Sequence, residues 1–153
     1  MIRRRSLALL PAALLLAQCG PEVKPPAVLT LVITGAADQN PDINGAAAPI
    51  AIRIYQLTAT AKFERGDVFA LTEHEQQTLG ADDAGSQEFV ISPSESRTLK
   101  FELKPMVQSV GVVALYRDID KAQWRADAPV ATSGPTKLAL NIAKLAITLK
   151  PAS

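Results

Sequence analysis

The chain has 153 residues, of which 48% are hydrophobic and 5% aromatic, and its 16 basic and 15 acidic residues give a formal net charge of +1. The charges are interspersed and form no basic stripe or arginine-rich helix, which argues against nucleic acid as a partner. A single cysteine excludes an intrachain disulfide, but a chain of this length can bury a sufficient core without one.

The first 18 residues have the pattern of a lipoprotein signal peptide. Three arginines at positions 3–5 precede an apolar run at 7–17, and Cys19 follows closely. A transmembrane helix is a weaker interpretation, because a span needs about 20 apolar residues. Removal of residues 1–18 would take three of the 16 basic residues, leaving 13 against 15 acidic residues and a net charge of −2.

Cys19 is the predicted site of lipid attachment. Its thiol can be alkylated with diacylglycerol, and its amine can take a third acyl chain after cleavage. Each buried methylene contributes about 0.8 kcal/mol, and stable anchoring needs more than one chain. Gln18 stands where lipoprotein peptidases usually meet Gly, Ala or Ser, so an ordinary secretory signal with an incidental cysteine stays open. Gly20 is not the aspartate that retains many bacterial lipoproteins in the inner membrane, which indicates the periplasmic face of the outer membrane.

Residues 19–27 are the predicted lipidated N-terminus and tether of the mature chain. Pro21, Pro25 and Pro26 favour an extended backbone that holds the following domain off the membrane surface. The remaining residues, 28–153, are predicted to form one domain.

Short alternations of apolar and polar residues predict β-strands in this domain. The alternating runs lie at 29–34, 50–55, 98–104, 138–142 and 145–149. Residues 110–116 are almost continuously apolar, as expected of a central strand covered on both faces, and 88–91 is a further candidate. Seven or eight short strands separated by turn residues predict a mainly-β sandwich.

One segment breaks this pattern and predicts a short helical insertion at residues 67–79. Asp67 is a suitable N-cap, Leu71 and Leu79 lie on an apolar side with Val68, and Gly80 is a typical helix stop. The helix would lie beside the sandwich and would not connect parallel strands.

Residues 35–49 join the first two predicted strands without a convincing period. A connection of this length in a compact domain is usually either functional or disordered. Asn40-Pro41 and Asn44-Gly45 are turn-forming pairs, so the loop can be ordered by its own turns, although a mobile surface loop stays open.

The chain offers little for catalysis or metal binding. His74 is the only histidine, and Glu73 and Glu75 beside it indicate a solvated helix face. The aspartate pairs at 82–83 and at 118 and 120 lack the other ligands of a calcium loop. The chain has no Gly-x-Ser-x-Gly elbow and no glycine-rich phosphate loop. We therefore expect no enzyme activity, no metal and no cofactor other than the covalent lipid.

Several segments in a fixed order resemble the TssJ lipoproteins of type VI secretion systems. The segments are RIYQL at 53–57, Phe63 with DVFAL at 67–71, Leu79-Gly80, and GVVALYRDIDKAQWR at 111–125. The resemblance implies a transthyretin-like β-sandwich with a small helical addition, tethered to the inner leaflet of the outer membrane.

The resemblance also implies a partner and a binding site. TssJ lipoproteins bind the periplasmic C-terminal region of the inner-membrane component TssM and belong to the envelope-spanning membrane core complex. In this family the loop between the first two strands takes part in that contact. The matching loop here is 35–49, and polarity and turns single out Asp38, Gln39, Asn40, Pro41, Asp42, Ile43, Asn44 and Gly45 as the expected contact residues.

A second interpretation is a periplasmic lipoprotein that binds a small ligand or carbohydrate on the sandwich. It predicts that Tyr55, Tyr116 or Trp124 is exposed on a concave surface, whereas a structural lipoprotein predicts these side chains buried. An enzyme is a distant third, which His74 buried beside two acids would favour.

Overall fold

The computed structural model describes residues 19–153 of the chain. The predicted signal peptide, residues 1–18, lies outside the described residues. Residues 19–26 are exposed and have no regular secondary structure. Within the described range, no helix combines the length and the apolarity that crossing a membrane requires.

Eight strands and three short helices make up the described domain. The strands are β1 (Ala27–Gly35), β2 (Ile50–Leu57), β3 (Asp83–Ile91), β4 (Ser96–Glu102), β5 (Ser109–Ala114), β6 (Arg125–Pro129), β7 (Gly134–Ile142) and β8 (Ile147–Pro151). The helices are α1 (Ala61–Arg65), α2 (Val68–Glu73) and α3 (Glu75–Leu79), followed by a 3-10 turn at Gly80–Asp82. The prediction of a mainly-β chain with a short helical insertion is confirmed.

The strands form two four-stranded sheets. Sheet 1 has the order β4-β1-β7-β8, and sheet 2 has the order β3-β2-β5-β6. Neighbouring strands are antiparallel except for β1 and β7, which run parallel from Ala27 opposite Gly134 to Gly35 opposite Ile142. The predicted β-sandwich is therefore present, and its first strand is paired with its seventh.

The core between the sheets follows from the alternation in the sequence. Strands β1 and β2 bury one side chain in two, namely Leu29, Leu31, Ile33, Ile50, Ile52 and Ile54. In β5 the alternation is absent because both faces are covered: Val112 faces the other sheet and Val113 faces the helices. Removing such side chains from water contributes roughly 1.5–3 kcal/mol each, which makes this layer the main source of stability.

A second apolar cluster holds the helices against the outer face of sheet 2. Its members are buried and comprise Tyr55, Leu57, Phe63, Leu71, Leu79 and Val113. The ring of Phe63 lies over Gly111, where a Cβ atom would come within 2.7 Å of the ring. The close approach of α1 to the sheet therefore requires glycine at position 111.

The helical insertion is not the single helix predicted at 67–79. Asp67 caps α2 as predicted, because its carboxylate accepts a backbone N–H hydrogen bond at 2.7 Å. The helix is interrupted at His74, and α3 begins after that residue. Arg53 of β2 donates a hydrogen bond to the Thr72 carbonyl at 2.9 Å. A side chain from the sheet thus stabilises the break, which local sequence could not reveal.

Strand β1 defines the two ends of the domain. Residues 19–26 lead into it at Ala27, which we call the tether end, and the chain leaves it at Gly35, which we call the loop end. The nine residues of β1 span about 27 Å at the usual rise of a strand. The tether and the loop after β1 therefore join this strand at opposite ends of the sandwich.

Candidate partner-binding site

Four connections between strands meet at the loop end. They are the long loop 36–49, the turn 92–95, the loop 115–124 and the turn 143–146. Backbone hydrogen bonds join the start of the long loop to two neighbours: Gly35 donates to the Glu95 carbonyl and Ala36 to the Ile142 carbonyl, each at 2.8 Å. The long loop is therefore seated on the other connections at its base.

Gln39 anchors the base of the long loop inside the domain. Its side chain is 0% exposed, and its Nε2 donates to the carbonyls of Ala48 at 3.3 Å and of Ile91 at 2.8 Å. Its Oε1 accepts no hydrogen bond from the described residues and lies where a side chain on Gly35 would point. The amide thus closes the loop onto itself and onto β3.

Asn40 ties three of the four connections together. It is 2% exposed and has a positive φ of 46°, a conformation that asparagine tolerates better than most residues. Its Nδ2 donates to the Pro49 carbonyl at 2.8 Å, and its Oδ1 accepts the Arg117 N–H at 2.8 Å. Its own N–H donates to the Lys144 carbonyl at 3.0 Å. One buried residue therefore fixes the relative positions of the loops 36–49, 115–124 and 143–146.

The tip of the long loop is a tight turn that presents one apolar side chain. The Asp42 carboxylate accepts hydrogen bonds from Asn44 N–H at 2.8 Å and Ala46 N–H at 2.9 Å, and Gly45 supplies a φ of 83°. Ile43, between these residues, is 99% exposed. The turn holds a large aliphatic group in water, where it can enter an apolar pocket of another protein.

The structure divides the eight expected contact residues into two groups. Gln39 and Asn40 are buried, so their side chains shape the loop from inside the domain. The other six are exposed or half-buried, namely Asp38, Pro41, Asp42, Ile43, Asn44 and Gly45. The sequence had no signal for this division, because the bonds that bury the two amides join residues far apart in the chain.

The loop 115–124 lies beside the long loop and is joined by hydrogen bonds to its neighbours. Tyr116 is 4% exposed and its hydroxyl donates to the Ala143 carbonyl at 2.9 Å, which joins this loop to the turn 143–146. Burial raises the pKa of the Tyr116 phenol to about 12, so it stays a neutral donor at physiological pH. Arg117 is exposed, and Lys121 and Asp118 form an ion pair at 3.2 Å. The loop beside the long loop thus carries charged side chains of both signs.

Cys19 is exposed, and the tether that follows it enters β1 at the tether end, opposite the loop end that carries Ile43. The tether after it is fixed only at its last residues, where the N–H of Gly134 lies 3.3 Å from the Pro25 carbonyl and 3.2 Å from the Pro26 carbonyl. Residues 19–24 precede this contact. At about 3.5 Å per extended residue they reach roughly 20 Å.

The residues considered for other activities are spread over several elements of the domain. His74 is exposed, with its ring centroid 5.0 Å from that of Phe69 in an edge-on contact. Tyr55 is 0% exposed, and Trp124 is half-buried with the Arg125 guanidinium 4.6 Å from its ring centroid. Within residues 19–153, no group of three or more histidine, cysteine or carboxylate side chains is arranged to hold a metal ion.

Comparisons with known proteins agree with this architecture. A family model described as T6SS-SciN, the type VI secretion lipoproteins VasD, EvfM and TssJ, matches residues 27–145. The crystal structure of the T6SS lipoprotein TssJ1 from Pseudomonas aeruginosa is 34% identical, with a TM-score of 0.81 over 84% of this chain and 98% of that one. A search of curated proteins gave no match.

Two more distant structures share the fold. Serratia marcescens Lip, a membrane-bound component of the type VI secretion system, is 21% identical with a TM-score of 0.76, covering 84% of this chain and 99% of that one. A chain in the structure of the T6SS protein TssM C-terminal domain (869–1107) from EAEC is 23% identical with a TM-score of 0.69, covering 82% of this chain and 98% of that one. The family match over most of the domain and the similarity to TssJ1 lead to one conclusion: the chain belongs to the TssJ family of type VI secretion lipoproteins.

Proposed function

We propose that this lipoprotein is a non-enzymatic link between two parts of the secretion apparatus. Acyl chains on Cys19 hold it in the periplasmic face of the outer membrane, and the loop end binds the periplasmic region of a TssM-type inner-membrane protein. The link thereby anchors the membrane core complex. The observation that carries the proposal is Ile43, 99% exposed at the tip of a loop whose base is buried.

The geometry of the tip suits recognition of a protein surface. Burying a side chain of the size of isoleucine contributes roughly 1.5–3 kcal/mol, and a tip that is already ordered loses less conformational entropy on binding than a mobile loop. Asn40 supplies that order through its bonds to three connections. A rigid scaffold that presents a loop is a common arrangement for binding a partner.

The position of Cys19 suits a mechanical role. The anchor and the binding tip lie at opposite ends of β1, so force between them passes along a strand paired on both sides, with β4 and with β7. The family membership supports the lipid on Cys19 and the membrane association.

The alternative, a small-ligand lipoprotein, finds less support. It requires an exposed aromatic side chain on a concave surface, but Tyr55 and Tyr116 are 0% and 4% exposed, and each hydroxyl donates to a backbone carbonyl. The third candidate, Trp124, is half-buried, and its ring is covered by the Arg125 guanidinium. His74, the residue on which an enzyme would depend, is exposed and is not enclosed by two acids.

The binding claim is tested with Ile43→Ser and the soluble periplasmic fragment of the TssM-type protein encoded with this lipoprotein. We expect the Kd to rise about thirtyfold, because the central apolar contact of an interface typically contributes about 2 kcal/mol or more. Met106→Ser is the matched control, since Met106 is 77% exposed but lies in the turn after β4 at the tether end. Equal affinities of the Ile43 variant and the unaltered protein would exclude the tip as the contact.

The anchoring claim is tested separately with Cys19→Ser in cells. Loss of the acylation site should move the protein from the outer-membrane fraction to the soluble periplasmic fraction, while the purified domain keeps its affinity for the TssM-type fragment. A variant that stays in the outer-membrane fraction would refute the lipid as the anchor.

A further inference from the structure

The outer face of sheet 1 is not covered by any element of the described chain. The side chains that β1 turns inward form the core, so its alternate residues Val28, Thr30, Val32 and Thr34 point outward. The helices α1, α2 and α3 pack on the other sheet. None of the described large apolar side chains with high exposure belongs to sheet 1.

Three lysines share this outer face. Thr30 is paired with Lys100 on one side and with Lys137 on the other, so both lysines lie on the face of Thr30. In the next outward-facing row, Ala139 is paired with Val32 and with Lys150. Neighbouring strands are about 4.8 Å apart, so the three ammonium groups lie within a patch of roughly 15 Å. We call these residues the lysine face.

The lysine face is basic on a domain that is otherwise slightly acidic. All three lysines are exposed, and none of them forms an ion pair with a described residue. Glu102 is the single acid in the four strands of sheet 1. By contrast, residues 61–88, on the opposite side of the molecule, contain seven acids and two basic residues. The charge distribution therefore gives the molecule a positive and a negative side.

We propose that the lysine face docks on the headgroups of anionic phospholipids in the membrane that holds Cys19. The inference rests on the proposed anchorage at Cys19. The tether from Cys19 leads into β1, a strand of sheet 1, so anchorage would bring this sheet close to the membrane. With residues 25–26 held by Gly134, residues 19–24 keep the sheet within roughly 20 Å of the lipid surface. The tether itself adds no net charge, because Glu22 and Lys24 are both exposed in it.

The chemistry of the face favours lipid over a protein partner. It offers ammonium groups among short polar side chains, which suit scattered phosphates, and it lacks an exposed aromatic or large aliphatic anchor of the kind that dominates protein interfaces. Docked in this way, the acidic helical side faces the periplasm. The long axis of the sandwich lies along the membrane, and Ile43 stays accessible at the loop end.

The first test couples residues 19–153 to vesicles through the thiol of Cys19, the sole cysteine of the chain. Maleimide-lipid vesicles of phosphatidylcholine, with or without phosphatidylglycerol, are treated with an amine reagent, and the labelling of each lysine is measured by mass spectrometry. With phosphatidylglycerol we expect labelling of Lys100, Lys137 and Lys150 to slow about fivefold, the effect of roughly 1 kcal/mol per lysine at an anionic surface. Lys121 and Lys144, at the loop end, should react at unchanged rates. Uniform labelling of all five lysines would overturn the proposal.

The second test uses the uncoupled domain with the three lysines replaced together, Lys100→Gln, Lys137→Gln and Lys150→Gln. Its affinity for phosphatidylglycerol vesicles should fall about a hundredfold. The matched control, Arg117→Gln with Lys121→Gln and Lys144→Gln, removes the same charge from the loop end and should lower affinity less than about threefold. Equal losses would mean that net charge alone governs binding, and the proposal would be wrong.

The two proposals fail in distinguishable ways. The lysine-face variant should bind the TssM-type fragment with unchanged affinity, whereas Ile43→Ser should bind vesicles normally. If the lysine-face variant binds the TssM-type fragment more weakly but binds vesicles with unchanged affinity, the face is a protein interface and the lipid assignment is overturned. If Ile43→Ser binds the TssM-type fragment with unchanged affinity while lipid still protects the three lysines from labelling, only the assignment of the loop as the contact is wrong.

Discussion

At the scale of single residues, Asn40 determines the shape of the loop end. Its amide bonds the carbonyl of Pro49 and the N–H of Arg117 from a site that is 2% exposed. A smaller side chain leaves both backbone groups without these partners and keeps the left-handed φ of 46° without the local bonds that favour it. Order at the tip therefore depends on a residue whose side chain is buried inside the domain.

We expect Asn40→Ala to lower the free energy of unfolding by about 2–4 kcal/mol, the sum of two lost hydrogen bonds and the backbone strain. The measurement is the urea midpoint at a constant m value. Asn44→Ala is the control in the same loop, because the side chain of Asn44 is exposed, and it should change stability by less than about 0.5 kcal/mol. Equal effects of the two substitutions would show that the buried bonds do not order the loop.

At the scale of elements, the contact of α1 with sheet 2 depends on the space over Gly111. We expect Gly111→Ala to cost about 1–3 kcal/mol, because its Cβ would lie 2.7 Å from the Phe63 ring. In a Phe63→Leu background the same substitution should cost about half as much or less, as coupled neighbours do. Additive effects in this double-mutant cycle, measured by urea unfolding, would contradict the packing described.

A second element contact joins α3 to sheet 2 through charged groups. Arg53 pairs with Glu75 and with Glu88, each at 3.0 Å, and Ser86 donates to Glu75 at 2.6 Å. Asp83, at the start of β3, lies close to Glu75. Burial, assisted by a hydrogen bond with Glu75, raises the pKa of Asp83 from 3.8 to about 6.

The raised pKa of Asp83 predicts a direction for the dependence of stability on pH. The folded state binds the proton more tightly than the unfolded state, so this contribution is complete below pH 3.8 and is lost as pH rises through about 6. We expect the urea midpoint of the unaltered protein to fall relative to that of Asp83→Asn over this interval. Parallel curves for the two proteins would exclude Asp83 as the titrating group.

The elements also show what the sequence could predict. Strands β1, β2, β4, β7 and β8 have period-two apolar patterns, and β5 has a continuous apolar run, so their positions follow from the residues themselves. Strand β6, RADAP, was missed because it has almost no apolar alternation and exists through its pairing with β5. Helix α1 was missed because its five residues carry too little periodic signal. The helix is stabilised by tertiary contacts, because Phe63 is buried in the apolar cluster between the helices and sheet 2.

The loop end shows the same limit of local information. The turn-forming pairs were compatible with an ordered loop but left a mobile loop open, and the structure shows a tip ordered by hydrogen bonds to Asp42. The burial of Gln39 and Asn40 was not predictable, because their partners Ile91 and Arg117 lie 52 and 77 residues away in the sequence. Polar residues in a sequence are normally predicted to be exposed. Only the assembled fold supplies the carbonyl and N–H groups whose hydrogen bonds allow these two amides to be buried.

At the scale of the whole molecule, the fold separates three surfaces. The tether end leads to Cys19, the loop end presents Ile43, and the outer face of sheet 1 carries the lysine face. The parallel pairing of β1 with β7 joins the start of the domain to its last third, so a load between the proposed anchor and the tip would pass through the central strands of sheet 1. Docking of the lysine face would orient this load-bearing sheet along the membrane.

Amide hydrogen exchange, measured with and without the soluble periplasmic fragment of the TssM-type protein, shows directly whether the loop end is the surface that binds this protein. We expect slower exchange on binding in residues 42–46 and 117–121, and unchanged exchange in the tether at 19–24 and in the helices at 61–79. Slower exchange in the helices or on the strands of the lysine face, with residues 42–46 unaffected, would contradict this expectation.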